Sequence, residues 1–200
     1  MGYSLSWAAL KGGDVQSACA ALGLRPTGKR EEIAESKVNG VQLPTGWYLV
    51  MFDHREMSDG DLTKLSRSGE VVCCFVEDHV MFSSAARWKD GKEIWRVAHD
   101  GGEKGAQHLE TRGQLPAEFE SIRKELFAKQ EQEISKRDEP GVDYAYDIPA
   151  ELAKKLTGFC HDEDMPGLSG EVFQILEDDS AKNPLGRLFG RLGGRKTNAS

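Results

Sequence analysis

The chain has 200 residues, of which 38% are hydrophobic and 30% are charged, and its formal net charge is −7. This length and composition predict a soluble globular chain that can bury a full core, and they exclude global disorder. The acidic balance argues against duplex nucleic acid as the main partner, because binding phosphates requires a basic face. It is compatible with a basic protein partner.

The four cysteines, Cys19, Cys73, Cys74 and Cys160, include no CxxC pair. We expect reduced thiols, most of them serving as small apolar core residues, as in cytoplasmic proteins. The N-terminal residues lack the basic and apolar regions of a signal peptide, and no apolar run is long enough to span a membrane. The sequence therefore predicts a cytoplasmic protein without a membrane span.

The first part of the chain predicts strands separated by short capped helices. Asp14 is expected to cap a helix that Gly23 ends, and Ser58 is expected to cap a second helix. Residues 24–46 are polar and interrupted by proline and glycine, so they are interpreted as a long loop containing one short strand. The predicted strands are residues 3–10, 37–43, 47–53 and 70–76. The last of these is apolar on both faces, which is typical of a central strand.

The segment VEDHVMFSSAARWKDGKEIWRVAHD predicts a hairpin, with Asp90-Gly91 as its two-residue turn. An uninterrupted register from that turn places Ala86 opposite Trp95 and Phe82 opposite His99. The predicted core face then carries Val80, Phe82, Trp88, Trp95 and Val97. The other face is predicted to be partly polar.

The second part of the chain predicts a further strand at 107–112, a long helix starting at Pro116 and a shorter helix that Pro149 opens and Gly158 ends. Residues 181–200 contain five Lys and Arg but no acid, and they are interpreted as a flexible basic, glycine-rich tail. The predicted organisation is one α+β domain over residues 1–180. We expect a mostly antiparallel sheet with helices packed on one face.

The polar face of the hairpin is the first candidate site. The predicted register makes His79 and Asp100 diagonal neighbours, with Ser83 further along the same face. A histidine near an acid and a hydroxyl is the arrangement that acid–base catalysis requires. Arg87 and Arg96 on this face are candidate binding residues. The ordinary alternative is a solvated strand surface, and a slip of one residue in the register would separate the group.

The second candidate is the run Cys160-His161-Asp162-Glu163-Asp164, in which His161, Asp162 and Asp164 are candidate binding residues. Adjacent Cys and His residues rarely have the geometry of a nucleophile and its base, and a solvated loop is the ordinary alternative. Four of the five histidines adjoin an acid, but none has the spacing of a recognised metal motif. The sequence therefore predicts neither a metal nor a cofactor.

Several segments together show a resemblance to known sequences: SLSWAALKG, LPTGWYLVMFD, the hairpin, FESIRKELFAKQ and VDYAYDIPAELAKKLTGFCHDED. They resemble a family of small bacterial proteins of unknown function, over roughly residues 3–165 and without the tail. The resemblance implies a self-contained bacterial, cytosolic protein. It implies no activity, ligand or catalytic residue.

Three functions stay open. The first is a non-catalytic protein-binding protein, in its most specific form an immunity-type protein that neutralises a basic partner toxin. The second is a hydrolase or metal-assisted hydrolase, with His79 as base, Asp100 as orienting acid and Ser83 or water as nucleophile. The third is a small-ligand sensor or adaptor whose tail, residues 181–200, folds on a partner. The absence of catalytic sequence motifs favours the first.

Overall fold

The computed structural model of the protein describes residues 2–136 and 142–179, so the predicted tail lies outside the described residues. The strands are β1 Ser4–Lys11, β2 Leu24–Glu31, β3 Val38–Gln42, β4 Trp47–Asp53, β5 Glu70–Glu77, β6 Phe82–Lys89, β7 Lys92–Asp100, β8 Glu110–Gly113 and β9 Phe173–Asp178. The helices are α1 Val15–Leu22, α2 Asp59–Leu65, α3 Gly101–Lys104, α4 Glu118–Lys136 and α5 Asp147–Thr157. Single 3₁₀ turns occur at Ser66–Ser68 and Asp78–Val80.

The nine strands form one sheet in the order β2-β9-β3-β4-β1-β5-β6-β7-β8. All the pairings are antiparallel. The predicted α+β class and antiparallel sheet are confirmed. The strand predicted to be central, β5, pairs with β1 on one side and β6 on the other.

The helices cover both faces of the sheet, which corrects the expectation of helices on one face. Successive residues of β1 alternate between two cores: Trp7 packs with residues of α4 and α5, and Ala8 packs with residues of α1 and α2. We call these the α5 face and the α1 face. The physical reason is visible in the central strands, which are apolar at consecutive positions and therefore require cover on both sides.

Both predicted helix caps are confirmed. Asp14 and Ser17 form a reciprocal capping box at the start of α1, and Gly23 ends that helix in the left-handed conformation with φ 68°. Ser58 and Asp61 form the same motif at the start of α2. The four cysteines are free and buried. Among the described residues, no helix has both the length and the apolar character needed to cross a membrane.

Strand β2 lies within the segment that the sequence predicted as a loop. It contains Pro26 and Gly28, which are unusual inside a strand. However, β2 is at the edge of the sheet and pairs only with β9, with an irregularity in the register between Pro26 and Arg30. An edge position tolerates a proline, because one side of the strand makes no ladder hydrogen bonds.

The predicted hairpin register is correct near the turn and wrong beyond it. Trp88 pairs with Glu93 as predicted, but the next pair is Arg87 with Trp95, so Ile94 forms a β-bulge. The segment directly after β8 stabilises this bulge, because the Gln114 N–H donates to the Ile94 carbonyl at 3.1 Å. The bulge places Trp88 and Trp95 on opposite faces, where the prediction had them together. It also pairs Ser83 with His99 and Phe82 with Asp100.

Candidate functional site

The main candidate site is a half-open cavity of about 490 Å³ beside the start of β9. We call it the Ile33 cavity. Its apolar lining includes Leu5, Ile33, Met51, Phe159, Leu168 and Phe173. Ile33 lies on the loop between β2 and β3 and exposes 68% of its surface, the largest exposure among the large apolar residues that the structure describes. An exposed aliphatic side chain beside an apolar cavity is a feature of binding surfaces.

Acidic side chains line the same cavity. Glu32, Glu163 and Asp164 all line the cavity. Lys154 forms an ion pair with Glu163. Within residues 2–136 and 142–179, no cation pairs with Glu32 or Asp164, and both residues are exposed. The cavity therefore combines an apolar lining with exposed acidic side chains that are only partly neutralised, and we call these acidic side chains its acidic edge.

Cys160, His161 and Asp162 follow the left-handed Gly158 that ends α5, and the first two of them line the Ile33 cavity. Each offers one ligand atom, and these atoms lie within 4.8 Å of one another. The Cys160 Sγ to His161 Nδ1 distance is 4.0 Å. Cys160 is buried, His161 is half-buried and Asp162 is exposed. The His161 ring packs edge-on against Tyr3, with ring centroids 4.9 Å apart.

The protonation of these groups argues against a cysteine nucleophile. Burial and the neighbouring Asp162 carboxylate raise the pKa of Cys160 to about 12, so the thiol is protonated at neutral pH. Burial lowers the pKa of His161 below its ordinary value, which outweighs the opposing effect of Asp162 and Asp78. The pair thus contains a neutral thiol and a neutral imidazole, and not the thiolate that nucleophilic attack requires.

A second group of titratable residues, the His99 cluster, comprises His99, His108 and Asp143. The His99 side chain is fully buried. Its Nδ1–H donates to the His108 carbonyl at 2.7 Å, and its Nε2–H donates to Asp143 Oδ2 at 3.0 Å. His108 Nδ1 in turn accepts the Asp100 backbone N–H at 2.9 Å. Both His99 nitrogens therefore face acceptors, an arrangement that favours the doubly protonated ring.

The surroundings of His99 shift its pKa in two opposite directions. Burial disfavours the charged ring, but the hydrogen bonds to Asp143 and to the His108 carbonyl outweigh this effect, so the pKa of His99 is raised above 6.5. Because neither nitrogen is left to take a proton from Ser83, the cross-strand pair Ser83 and His99 cannot act as nucleophile and base. The Ser83 hydroxyl donates instead to the Tyr146 carbonyl at 2.6 Å.

Asp78 connects the His99 cluster with the Ile33 cavity. One carboxylate oxygen accepts the Tyr146 hydroxyl at 2.5 Å, and the other accepts the Tyr3 backbone N–H at 2.7 Å. Tyr146 packs edge-on against His99 with ring centroids 6.2 Å apart, and Tyr3 packs against His161. A continuous set of contacts therefore joins the two histidines.

Two of the three predicted catalytic residues lie together. His79 and Asp100 line a separate cavity of about 580 Å³, the His79 cavity, together with Val80, Phe82, Gly102 and Glu103. Asp100 Oδ1 also caps α3 by accepting the Glu103 N–H at 3.0 Å. Ser83 is fully buried, does not line this cavity and is held by Tyr146. The bulge at Ile94 pairs Asp100 with Phe82 and so places it on the opposite face from Ser83. His79 leaves the strand because it lies in the 3₁₀ turn Asp78–Val80 that precedes β6.

The predicted binding arginines make ion pairs within the protein. Arg87 donates to Glu70 at 2.8 Å, and Arg96 donates to Glu93 at 2.8 Å and to Asp59 at 2.7 Å. The predicted residues His161 and Asp164 do line one cavity, with Asp162 adjacent to His161.

Sequence reasoning missed the pairing of His99 with Asp143. These residues are 44 positions apart, and no local pattern connects them. It also missed Ile33, the one large apolar residue between Leu24 and Val38, although an isoleucine in such a charged segment is itself a signal of a binding surface.

We compared the chain with known protein families, with curated proteins and with solved structures, and found no match in any of the three.

Proposed function

We propose that this protein is a non-catalytic binding protein whose partner is a basic protein that inserts an apolar segment at the Ile33 cavity. The observation that carries the proposal is the combination of Ile33, 68% exposed, with the acidic edge of an apolar cavity. An exposed apolar group surrounded by polar residues is favourable to desolvate on association.

The charges indicate which kind of partner fits. Glu32 and Asp164 both line the cavity, and the whole chain carries a net charge of −7. Such a surface attracts a basic partner during encounter and disfavours an acidic one. The apolar lining supplies area that a partner side chain can bury, at roughly 25 cal/mol per Å².

In its most specific form, the proposal is an immunity-type protein that neutralises a basic toxin in a bacterial cytoplasm. The free, buried cysteines support a reducing compartment. The engaged nitrogens of His99 and the protonated Cys160 thiol support a non-catalytic role.

The test is affinity capture from a lysate of the source organism with the wild-type chain and two variants. Ile33→Asp places a charge at the cavity. Val142→Asp is the control: it also replaces an exposed apolar residue with a charge, but Val142, 47% exposed, lies outside the cavity. We expect a basic protein that the wild type and Val142→Asp retain and that Ile33→Asp loses. Equal capture by the two variants, or capture of acidic proteins only, contradicts the proposal. The immunity form further requires that the captured protein inhibits growth when it is expressed alone, and that co-expression of this chain restores growth.

A hydrolase site at the His79 cavity is the second candidate function, because His79 and Asp100 both line that cavity. Water would act as nucleophile there, since the Ser83 hydroxyl is engaged with Tyr146. Hydrolysis of chromogenic ester and phosphoester substrates, lost in His79→Ala and kept in Ile33→Asp, would favour this candidate over the binding protein.

A further inference from the structure

We propose that Cys160, His161 and Asp162 form a binding site for a divalent metal ion of the zinc class at the wall of the Ile33 cavity. The sequence predicted no metal, because these residues have none of the usual ligand spacings. The inference depends on their placement in space, which brings a sulfur, a nitrogen and an oxygen donor within 4.8 Å of one another.

The geometry is close to that of a tetrahedral site. Bond lengths of about 2.3 Å to sulfur and about 2.0 Å to nitrogen place neighbouring ligand atoms about 3.5 Å apart. The observed Cys160 Sγ to His161 Nδ1 distance is 4.0 Å, so closing the site requires only a small side-chain rotation. Asp162 is exposed and can rotate without disturbing the core.

The donor set selects a class of ion. A thiolate combined with an imidazole favours zinc and related transition ions, whereas calcium and magnesium prefer oxygen ligands alone. A coordinating thiol loses its proton on binding, so the ion would displace the Cys160 proton to solvent and retain a thiolate. The positive charge of the ion would then be balanced by the thiolate and by Asp162.

The position of the group suits an open site and not a closed structural one. Cys160 and His161 both line the cavity, and Asp164 on the same lining offers a further carboxylate. Such a site has room for solvent or for a side chain of a partner at a fourth position. The inference is independent of the proposed partner, because metal binding is measured on the chain alone.

The test is titration of metal-free full-length protein with Co²⁺, followed in the near-ultraviolet and visible, and then competition with Zn²⁺. We expect one Co²⁺ per chain with a thiolate-to-cobalt band. The band should be lost in Cys160→Ala, and the affinity should fall about tenfold or more in His161→Gln. Cys19→Ala is the matched control, because Cys19 is also free and buried but lies in the core of the α1 face.

Several results would overturn the site. The proposal is wrong if the wild type shows no thiolate-to-cobalt band. It is also wrong if the band persists in Cys160→Ala or disappears in Cys19→Ala. If Cys160→Ala fails to fold, Asp162→Asn decides the question, since Asp162 is exposed and its amide preserves the shape. An unchanged Co²⁺ affinity in both Asp162→Asn and His161→Gln then refutes the proposal. Ile33→Asp should bind Co²⁺ normally, so the failure of the proposed partner binding can be distinguished from the failure of the proposed metal site.

Discussion

The His99 cluster and the Ile33 cavity each contain a histidine near an aspartate, but the surroundings of the two rings differ. His99 is fully buried, and both of its nitrogens donate to acceptors. His161 is half-buried beside an open cavity, and within the described residues only the Cys160 thiol, at 4.0 Å, approaches its ring nitrogens for a hydrogen bond. The opposite pKa shifts of the two rings follow from this difference.

The two histidines differ in whether they serve stability or binding. A histidine whose hydrogen bonds are complete holds protein segments together and has no group left for a ligand. A histidine with an unused nitrogen at a cavity contributes less to the fold and can accept a ligand. Neighbouring His and Asp residues in the sequence do not reveal which case applies, because the difference lies in the partners that the fold supplies.

The largest expected effect is on stability, from His99→Ala. Removing the ring leaves Asp143 and the His108 carbonyl without their donors and creates a cavity in a buried region. Breaking a buried charged pair in this way should lower the free energy of unfolding by about 3 kcal/mol. The measurement is urea denaturation. His161→Ala, which removes mainly an edge contact with Tyr3, should cost about 1 kcal/mol. Equal losses in the two variants would mean that the two histidines contribute equally to stability.

The second prediction concerns the pH dependence of that stability. Because the pKa of His99 is raised on folding, protonated His99 stabilises the native state. This contribution is fully present below about pH 6.5, the unfolded value, and is lost as the pH rises through the higher folded value. The difference in unfolding free energy between the wild type and Asp143→Asn should therefore shrink as the pH rises from 5.5 to 9. A difference that grows over this range would mean that the ring is neutral when folded.

The third prediction concerns the connection through Asp78. Tyr146→Phe removes the hydroxyl that donates to the Asp78 carboxylate and should cost about 1.5 kcal/mol, the usual contribution of a hydrogen bond to a charged group. Tyr144→Phe is the control, because the Tyr144 hydroxyl makes no hydrogen bond within the described part of the chain. Thermal denaturation measures both variants. If Tyr144→Phe costs as much, packing and not the hydroxyl accounts for the loss.

The sequence predicts the central strands and the helix caps well, because local patterns determine them. Strands such as β4 and β5 and the caps of α1 and α2 are determined by local patterns, namely apolar runs and side chains that bond to nearby backbone groups. Edge strand β2 has no such pattern, since a strand with one neighbour tolerates proline and charge.

The candidate site was less predictable, because it depends on contacts between distant segments. The bulge at Ile94 is stabilised by the Gln114 N–H, which belongs to a separate part of the chain. That single extra residue pairs His99 with Ser83 and not with Phe82, and it places Asp100 on the opposite face from Ser83. The run from Cys160 to Asp164 is visible in the sequence because its candidate residues are adjacent. The cavity they line also requires Ile33 and Leu5, which no local rule connects with them.

The smallest expected effect on stability is that of Ile33→Asp. Because the side chain is already 68% exposed, replacing it removes little buried area, and the free energy of unfolding should change by less than about 0.5 kcal/mol. The same substitution should abolish capture of the basic partner. His99→Ala, measured at a temperature where it remains folded, should keep that capture. A loss of stability in Ile33→Asp comparable to that of His99→Ala would mean that the loop between β2 and β3 supports the core. The Ile33 cavity would then be part of the scaffold, and its acidic edge would need another explanation.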